Sequence, residues 1–262
     1  MKKLFLIVSL LLMLQARAQT SLKVLSYNIY HGELNYQPGK ASLDSIAALI
    51  RKLQPDFVAC QEVDSATGRV AKIYGQRIDL MQELAKKTGM YGYFGKAMDF
   101  DGGGYGEGLL TKNPVTASTV VLPNPSGGEP RALLYAHYTL PGGRVILLGG
   151  THLCHEHEAN KVAQVAAINK VMGSSAYPSV VCGDFNFTSG SRPYQLMAKA
   201  WFDAADVKGN PQNSFSYKKP AVRIDYAFLS KPHSWKVVDV QVIPVSYSDH
   251  MPVLFTLQLA AE

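Results

Sequence analysis

Along most of this chain, short apolar stretches are separated by turn-forming residues, and the spacing within each stretch distinguishes strands from helices. Residues 22–29 alternate and are rich in β-favouring side chains, which predicts a strand. Leu43, Ile46, Ala47, Ile50 and Leu53 recur at helical spacing behind Ser42, a helix-capping residue, and Pro55 ends the run. Residues 57–63 predict a second strand and 78–87 a second helix, closed by Gly89. Between 91 and 138, β-prone pieces are divided by Gly102-Gly103-Gly104, Asn113-Pro114 and the Pro-containing stretch 123–130, the punctuation of antiparallel hairpins. Residues 144–149 predict a strand, 156–172 a helix after a polar loop, 179–182 a buried strand and 193–200 a short helix. Three more strands are expected near 223–229, 235–242 and 253–259. Many strands, roughly four helices and a strand–helix–strand rhythm that occurs twice predict two sheets packed face to face with helices outside. No sequence repeat marks a duplication.

The N-terminus changes what is counted. Lys2 and Lys3 precede an almost purely apolar run over 4–14, and Ala16-Arg17-Ala18 supplies small residues at alternate positions. The run is too short to span a bilayer comfortably, so residues 1–18 predict a cleaved signal peptide and an exported protein, periplasmic or extracellular. The mature chain would run from Gln19 to Glu262, a length suited to one large domain, with no linker or low-complexity tract inside it. Losing Lys2, Lys3 and Arg17, with no acidic residue beside them, takes the formal charge from +6 to +3. So small a charge does not argue for a polyanion partner; any steering must come from local placement of Lys and Arg. Three cysteines leave at least one unpaired. Cys60 and Cys182 lie in apolar runs, which favours free buried thiols over a disulfide, and Cys154 lies beside a candidate site residue.

The polar residues fall where apolar strands stop. Asn28 ends Leu-Ser-Tyr-Asn, Glu62 ends Val-Ala-Cys-Gln-Glu, and His152 ends Leu-Leu-Gly-Gly-Thr-His. Asp184 and Asn186 end Val-Val-Cys-Gly-Asp-Phe-Asn, while Asp225 and the pair Asp249-His250 complete the set. One such Asp is an ordinary turn or cap residue. Six such places in one domain are not, because a sandwich gathers strand ends along a rim where several carboxylates repel and need a cation. Oxygen-rich ligation without Cys suits a hard ion: Mg²⁺, with Mn²⁺ or Ca²⁺ as alternatives.

Taken in order, Tyr27-Asn28, Gln61-Glu62, Gly149-Gly150-Thr151-His152-Leu153, Gly183-Asp184-Phe185-Asn186, Arg223-Ile224-Asp225-Tyr226 and Ser248-Asp249-His250 resemble the endonuclease/exonuclease/phosphatase superfamily. That superfamily includes deoxyribonuclease I. Each motif alone is weak; the ordered set spans nearly the whole mature chain. The resemblance implies a four-layer α/β sandwich, with two mainly antiparallel sheets packed together and flanked by helices. It implies a metal-dependent phosphoester hydrolase with Glu62 as principal metal carboxylate, Asn28 beside it and Asp249 supporting the ion. Asp184 would orient or deprotonate water, and Asn186 would hold that nucleophile or a phosphoryl oxygen. His152 and His250 would donate to the phosphate, with Asp225 orienting His250; Asp184 and His250 both stand as candidates for the base. Departing from the pattern, Cys154 occupies a position where related sequences often carry Asp.

Other features weigh differently. Gly102 to Gly108 lacks the Lys-Ser/Thr of a phosphate-binding loop and opens no helix; it predicts a hairpin, with Tyr105 or Glu107 either facing substrate or lying on a flexible turn. His155 and His157, near His152 but without a Cys pair, read as loop residues rather than zinc ligands. Arg69 and Arg131 are the candidate substrate-binding guanidinium groups, with surface solvation as the alternative. The expected partner is a phosphoester substrate: a lipid headgroup, an inositol phosphate or nucleic acid. Nothing implies a stable protein partner, and a monomer is expected. A nuclease is the alternative activity, and an inert binding domain on the same scaffold would need one key acid or His replaced.

Overall fold

The computed structural model describes residues 21–260, so the expected signal peptide and the start at Gln19 lie outside the described residues. Among those described, no helix is long and apolar enough to cross a membrane.

Alternation builds the layers. In strand β1 (Ser21–Asn28), Leu22 and Val24 point between the two sheets, whereas Leu25 and Tyr27 point to the helices outside. Strand β2 (Phe57–Ser65) repeats this with Phe57 and Ala59 inward and Val58 and Cys60 outward. Such strands are buried on both faces, which explains their nearly unbroken apolar sequence. Helix α1 (Leu43–Leu53) joins these two parallel strands and buries Leu43, Ile46 and Ile50 over them. The first sheet is completed by β3 (Tyr91–Phe100), β4 (Gly103–Thr111), β11 (Trp235–Val242) and β12 (Val253–Leu259), in the order β11-β12-β1-β2-β4-β3.

The second sheet follows the same plan. Strands β5 (Ala117–Val121), β6 (Ala132–Thr139), β7 (Val145–His152), β8 (Ser179–Asp184), β9 (Trp201–Asp203) and β10 (Asp225–Ser230) lie in the order β5-β6-β7-β8-β10-β9. Its parallel pair, β7 and β8, is joined by α4 (Glu158–Ile168) and a π-helical turn, Asn169–Gly173. The rhythm read twice from the sequence is therefore a topological repeat, one copy per sheet. In both sheets every pairing but that one is antiparallel.

Three clusters fill the four layers: one between the sheets, one beneath α1 and α3 (Leu80–Thr88), and one beneath α4 and α5 (Arg192–Ala200). Two short helices lie beyond the expected four: α2 (Gly68–Tyr74), capped by Thr67, and α6 (Ala204–Lys208), capped by Asp203. The stretch 102–108 lies in and beside the β3–β4 hairpin, but Tyr105 and Glu107 are buried within β4 rather than placed on a mobile tip. All three cysteines are free and buried.

Candidate active site

Parallel pairing places the ends of neighbouring strands at one edge. Asn28, at the end of β1, is the register partner of Gln61, where the parallel pairing of β1 and β2 stops, and His152 and Asp184 are partners at the end of β7 and β8. Asp225 opens β10 opposite Asp184. The sheets approach closely here: a Cβ on Gly150 would lie 2.8 Å from that of Ala59. At Gly183, with φ of 154°, any side chain would run into the Thr151 carbonyl, so the step before Asp184 requires glycine.

Two site residues adopt a backbone that side chains disfavour. Glu62 has φ of 56° at an irregularity in the β2–β4 register between Cys60 and Val63, and Asn186 has φ of 49°. Each costs about 1–3 kcal/mol, a strain maintained by surrounding structure and concentrated at functional positions.

The side chains converge across the two sheets. The Asn28 amide nitrogen donates to Glu62 Oε1 at 3.0 Å and to Asp184 Oδ2 at 3.3 Å, while its oxygen accepts from the Tyr30 amide. Asp184 Oδ2 also stands 3.4 Å from Nε2 of both His152 and His250. Asp184 Oδ1 accepts the Asn186 amide at 3.0 Å. His250 Nδ1 meets Asp225 Oδ2 at 2.9 Å, and that oxygen also accepts from Ser214 Oγ at 2.6 Å. The His250 ring packs on Phe215, 4.7 Å between centroids.

Electrostatics divides these groups. For Glu62, burial raises the pKa most strongly, but hydrogen bonds from His31 and Asn28 and attraction to His250 outweigh it and hold the carboxyl below its usual range. For Asp184, burial dominates, with Asp225 and Glu62 adding to it, and the pKa is pushed up to about 7 despite His250. His250 is lowered by burial and raised further by Asp225 and Asp184, to about 10. His152 is held well below its normal value by burial and by Arg131. Arg131 Nη1 lies 2.8 Å from His152 Nδ1 and the Asn186 side-chain amide nitrogen 2.9 Å from its Nε2; both are donors, so His152 is a neutral imidazole clamped between them.

A profile of the Endonuclease/Exonuclease/phosphatase family matches residues 25–250. The chain belongs to that family. It is accordingly a hydrolase acting on phosphate ester bonds. Solved structures agree on the fold. An endonuclease/exonuclease/phosphatase from Beutenbergia cavernae is 24% identical, with TM-score 0.72 over 92% of this chain and 72% of the other. A family protein from Bacteroides thetaiotaomicron is 17% identical, with TM-score 0.74 over 93% and 99%. A mannosyl-6-phosphatase of the same organism is 18% identical, with TM-score 0.71 over 90% and 99%.

The family is in general divalent-metal dependent, and a buried acidic and histidine cluster, Asp184, Asp225 and His250, is present here. The carboxylates around it fit a hard cation. Asp249 is raised by burial and then, despite His250, by Glu62: two like charges held near each other in a partly buried, oxygen-rich surround. Glu62, Asp249 and Asn28 are the residues that would hold such an ion.

The two arginines have other partners. Arg69 donates to Asp64 through Nε and Nη2 at 3.0 and 2.6 Å and lies over the Phe100 ring. Arg131 is buried against His152, Glu129 and His155. Neither is a solvated surface charge. His155 and His157 are exposed beside Glu156. The sequence reading missed His31. Its Nδ1 stands 4.0 Å from Glu62 Oε2 and its Nε2 2.8 Å from Glu33, a contact set up by left-handed backbone at Tyr30 and His31 that no apolar pattern reveals. Ser214, which supports Asp225, gave no signal either.

Proposed function

We propose that this protein is an exported, Mg²⁺-dependent hydrolase of small phosphate esters, in which water attacks phosphorus with no covalent enzyme intermediate. One observation carries the reading: Asp184 Oδ2 lies 3.4 Å from both His152 Nε2 and His250 Nε2 and shares the Asn28 amide with Glu62. A carboxylate, two imidazoles and an amide thus converge at one place on the rim. A divalent cation held by Glu62, Asp249 and Asn28 supplies charge neutralisation for the phosphoryl oxygens.

Asp184, with its pKa near neutrality, suits the general base that takes a proton from water. His250, kept protonated by Asp225, donates towards the phosphate and stabilises its growing charge. His152 lines the site as a neutral imidazole, fixed in orientation by Arg131 and Asn186. With every named group in one chain, a monomer suffices. Export is supported by the basic, apolar and small-residue order of residues 2–18.

A small ester is favoured over nucleic acid because Arg69 and Arg131 are engaged by Asp64 and Glu129 rather than free to follow a phosphate backbone. The similar mannosyl-6-phosphatase is consistent with a small phosphomonoester. The test is release of p-nitrophenol from the mono- and bis-p-nitrophenyl phosphates, with Mg²⁺ or EDTA, alongside nicking of plasmid DNA. We expect turnover that EDTA abolishes, little nicking, and a loss of at least about a hundredfold in Asp184→Ala and in His250→Ala. Wild-type rates in both variants, or turnover indifferent to EDTA, would end the proposal.

A further inference from the structure

Beside the catalytic groups, the chain leaves β1 and turns through a short 3₁₀ segment, Tyr30–Gly32, into a loop that no catalytic role explains. Tyr30, His31 and Tyr36 all adopt positive φ, of 47°, 43° and 58°. This loop and Asp249 enclose a cleft of about 380 Å³, lined by Tyr30, Glu33, Asn35 and Tyr36. The cleft opens directly from the candidate site. Tyr30 donates its amide to Asn28, and its ring lies 4.3 Å from that of His31, which faces Glu62.

Its lining is specific in character. Asn35 is 5% exposed, yet its amide nitrogen has no hydrogen-bond partner. Such a group costs free energy unless something accepts from it. Glu33 is fixed by His31 on one oxygen and by the Gly39 amide on the other, which leaves further lone pairs for hydroxyl donors. Tyr36 is 53% exposed but not loose: Lys218 Nζ lies 3.9 Å from its ring centroid and Tyr217 packs at 5.8 Å. Aromatic faces beside an amide donor and a carboxylate acceptor suit a ring that carries C–H on its faces and hydroxyls on its edge. The Glu33 carboxylate disfavours a second anionic group within the cleft, although the Lys218 ammonium stands at its rim.

Resting on the hydrolase reading above, we infer that this cleft is the leaving-group subsite and takes a neutral, hydroxyl-rich ring: the sugar of a sugar phosphate. Asn35 and Glu33 read its hydroxyls, and Tyr36 with Tyr30 covers its apolar face. A polyphosphate or a nucleic-acid strand would meet the Glu33 carboxylate at this position.

The experiment compares kcat/KM for hexose 6-phosphates, n-hexyl phosphate and adenosine 5′-monophosphate with the Mg²⁺-loaded mature protein. Hexyl phosphate keeps the carbon count and lacks the hydroxyls. We expect the hexose esters to lead by at least about tenfold, and that ratio to fall about fivefold or more in Asn35→Leu, from the loss of one satisfied hydrogen bond. Tyr36→Ala, at a position 53% exposed, should lower it about threefold. A wild-type ratio near one, a ratio retained in Tyr36→Ala and in folded Asn35→Leu, or preference for the nucleotide would overturn the subsite. Saturation-transfer NMR with a neutral methyl hexoside separates the two layers of inference. Sugar signals that vanish in either variant, with no ester turned over, would sink the hydrolase reading alone. Turnover of esters without sugar signals or sugar preference would sink the subsite alone.

Discussion

Two carboxylates occupy equivalent places in the two sheets. Glu62 ends the buried stretch of β2 and Asp184 ends β8, each the second strand of a parallel pair. Both are pushed upward by burial, yet Glu62 is held below the ordinary carboxylate range and Asp184 rises to about 7. The neighbours decide. Glu62 faces His31 and accepts the Asn28 amide, whereas Asp184 has Asp225 and Glu62 as like charges. Topology thus delivers a carboxylate to each half of the rim, and local partners keep one an anion and let the other take up a proton near neutral pH, the difference on which the proposed roles rest.

The largest effect on this comparison should come from removing what makes the second half different. Asp225→Ala takes away the partner of His250 Nδ1, and steady-state kinetics should show kcat lower by about ten- to a hundredfold. A rate within twofold of wild type would mean that the pair does not orient or charge His250.

A smaller effect should appear in the metal-free protein as opposite pH slopes. Glu62, with a lowered folded pKa, contributes stability above the unfolded value of 4.5 that is lost as pH falls. His250, raised from 6.5 to about 10, contributes stability below 6.5 that is lost as pH rises towards 10. Asp184, also raised, loses its contribution earlier, between 3.8 and about 7. Urea unfolding between pH 7 and 10 should therefore show falling stability, and Asp225→Asn should flatten that fall. An equally steep decline in the variant would assign the slope to other groups. Smallest of all, Ser214→Ala removes one hydrogen bond from Asp225 and should cost about two- to fivefold in kcat, read in the same assay. A loss as large as that of Asp225→Ala would place Ser214 in the proton chemistry instead.

The architecture was legible because strands buried on both faces must be almost wholly apolar, so an acid or His marks where each strand reaches the rim. Asn28, Glu62, His152 and Asp184 were found that way. Helix α2 was not, because its seven residues bury only Val70 and show no apolar stripe. The helix expected over 156–172 begins as α4 at Glu158 and ends in a π-helical turn, which residue spacing does not encode. Arg131 was expected to meet phosphate or solvent; it is buried on His152, through a contact across the open end of the β6–β7 hairpin. His31 depends on left-handed backbone at Tyr30 and at itself, and Asn35 precedes the left-handed Tyr36; pattern reading has no access to that.

The division of labour between the two halves is tested most directly by titrating Mg²⁺ into Glu62→Gln and Asp184→Asn while following hydrolysis of bis-p-nitrophenyl phosphate. Glu62→Gln should need at least about tenfold more Mg²⁺ and recover part of its rate at saturation, whereas Asp184→Asn should remain at least about a hundredfold slow at every concentration. The same Mg²⁺ dependence and the same maximal rate in both variants would contradict it.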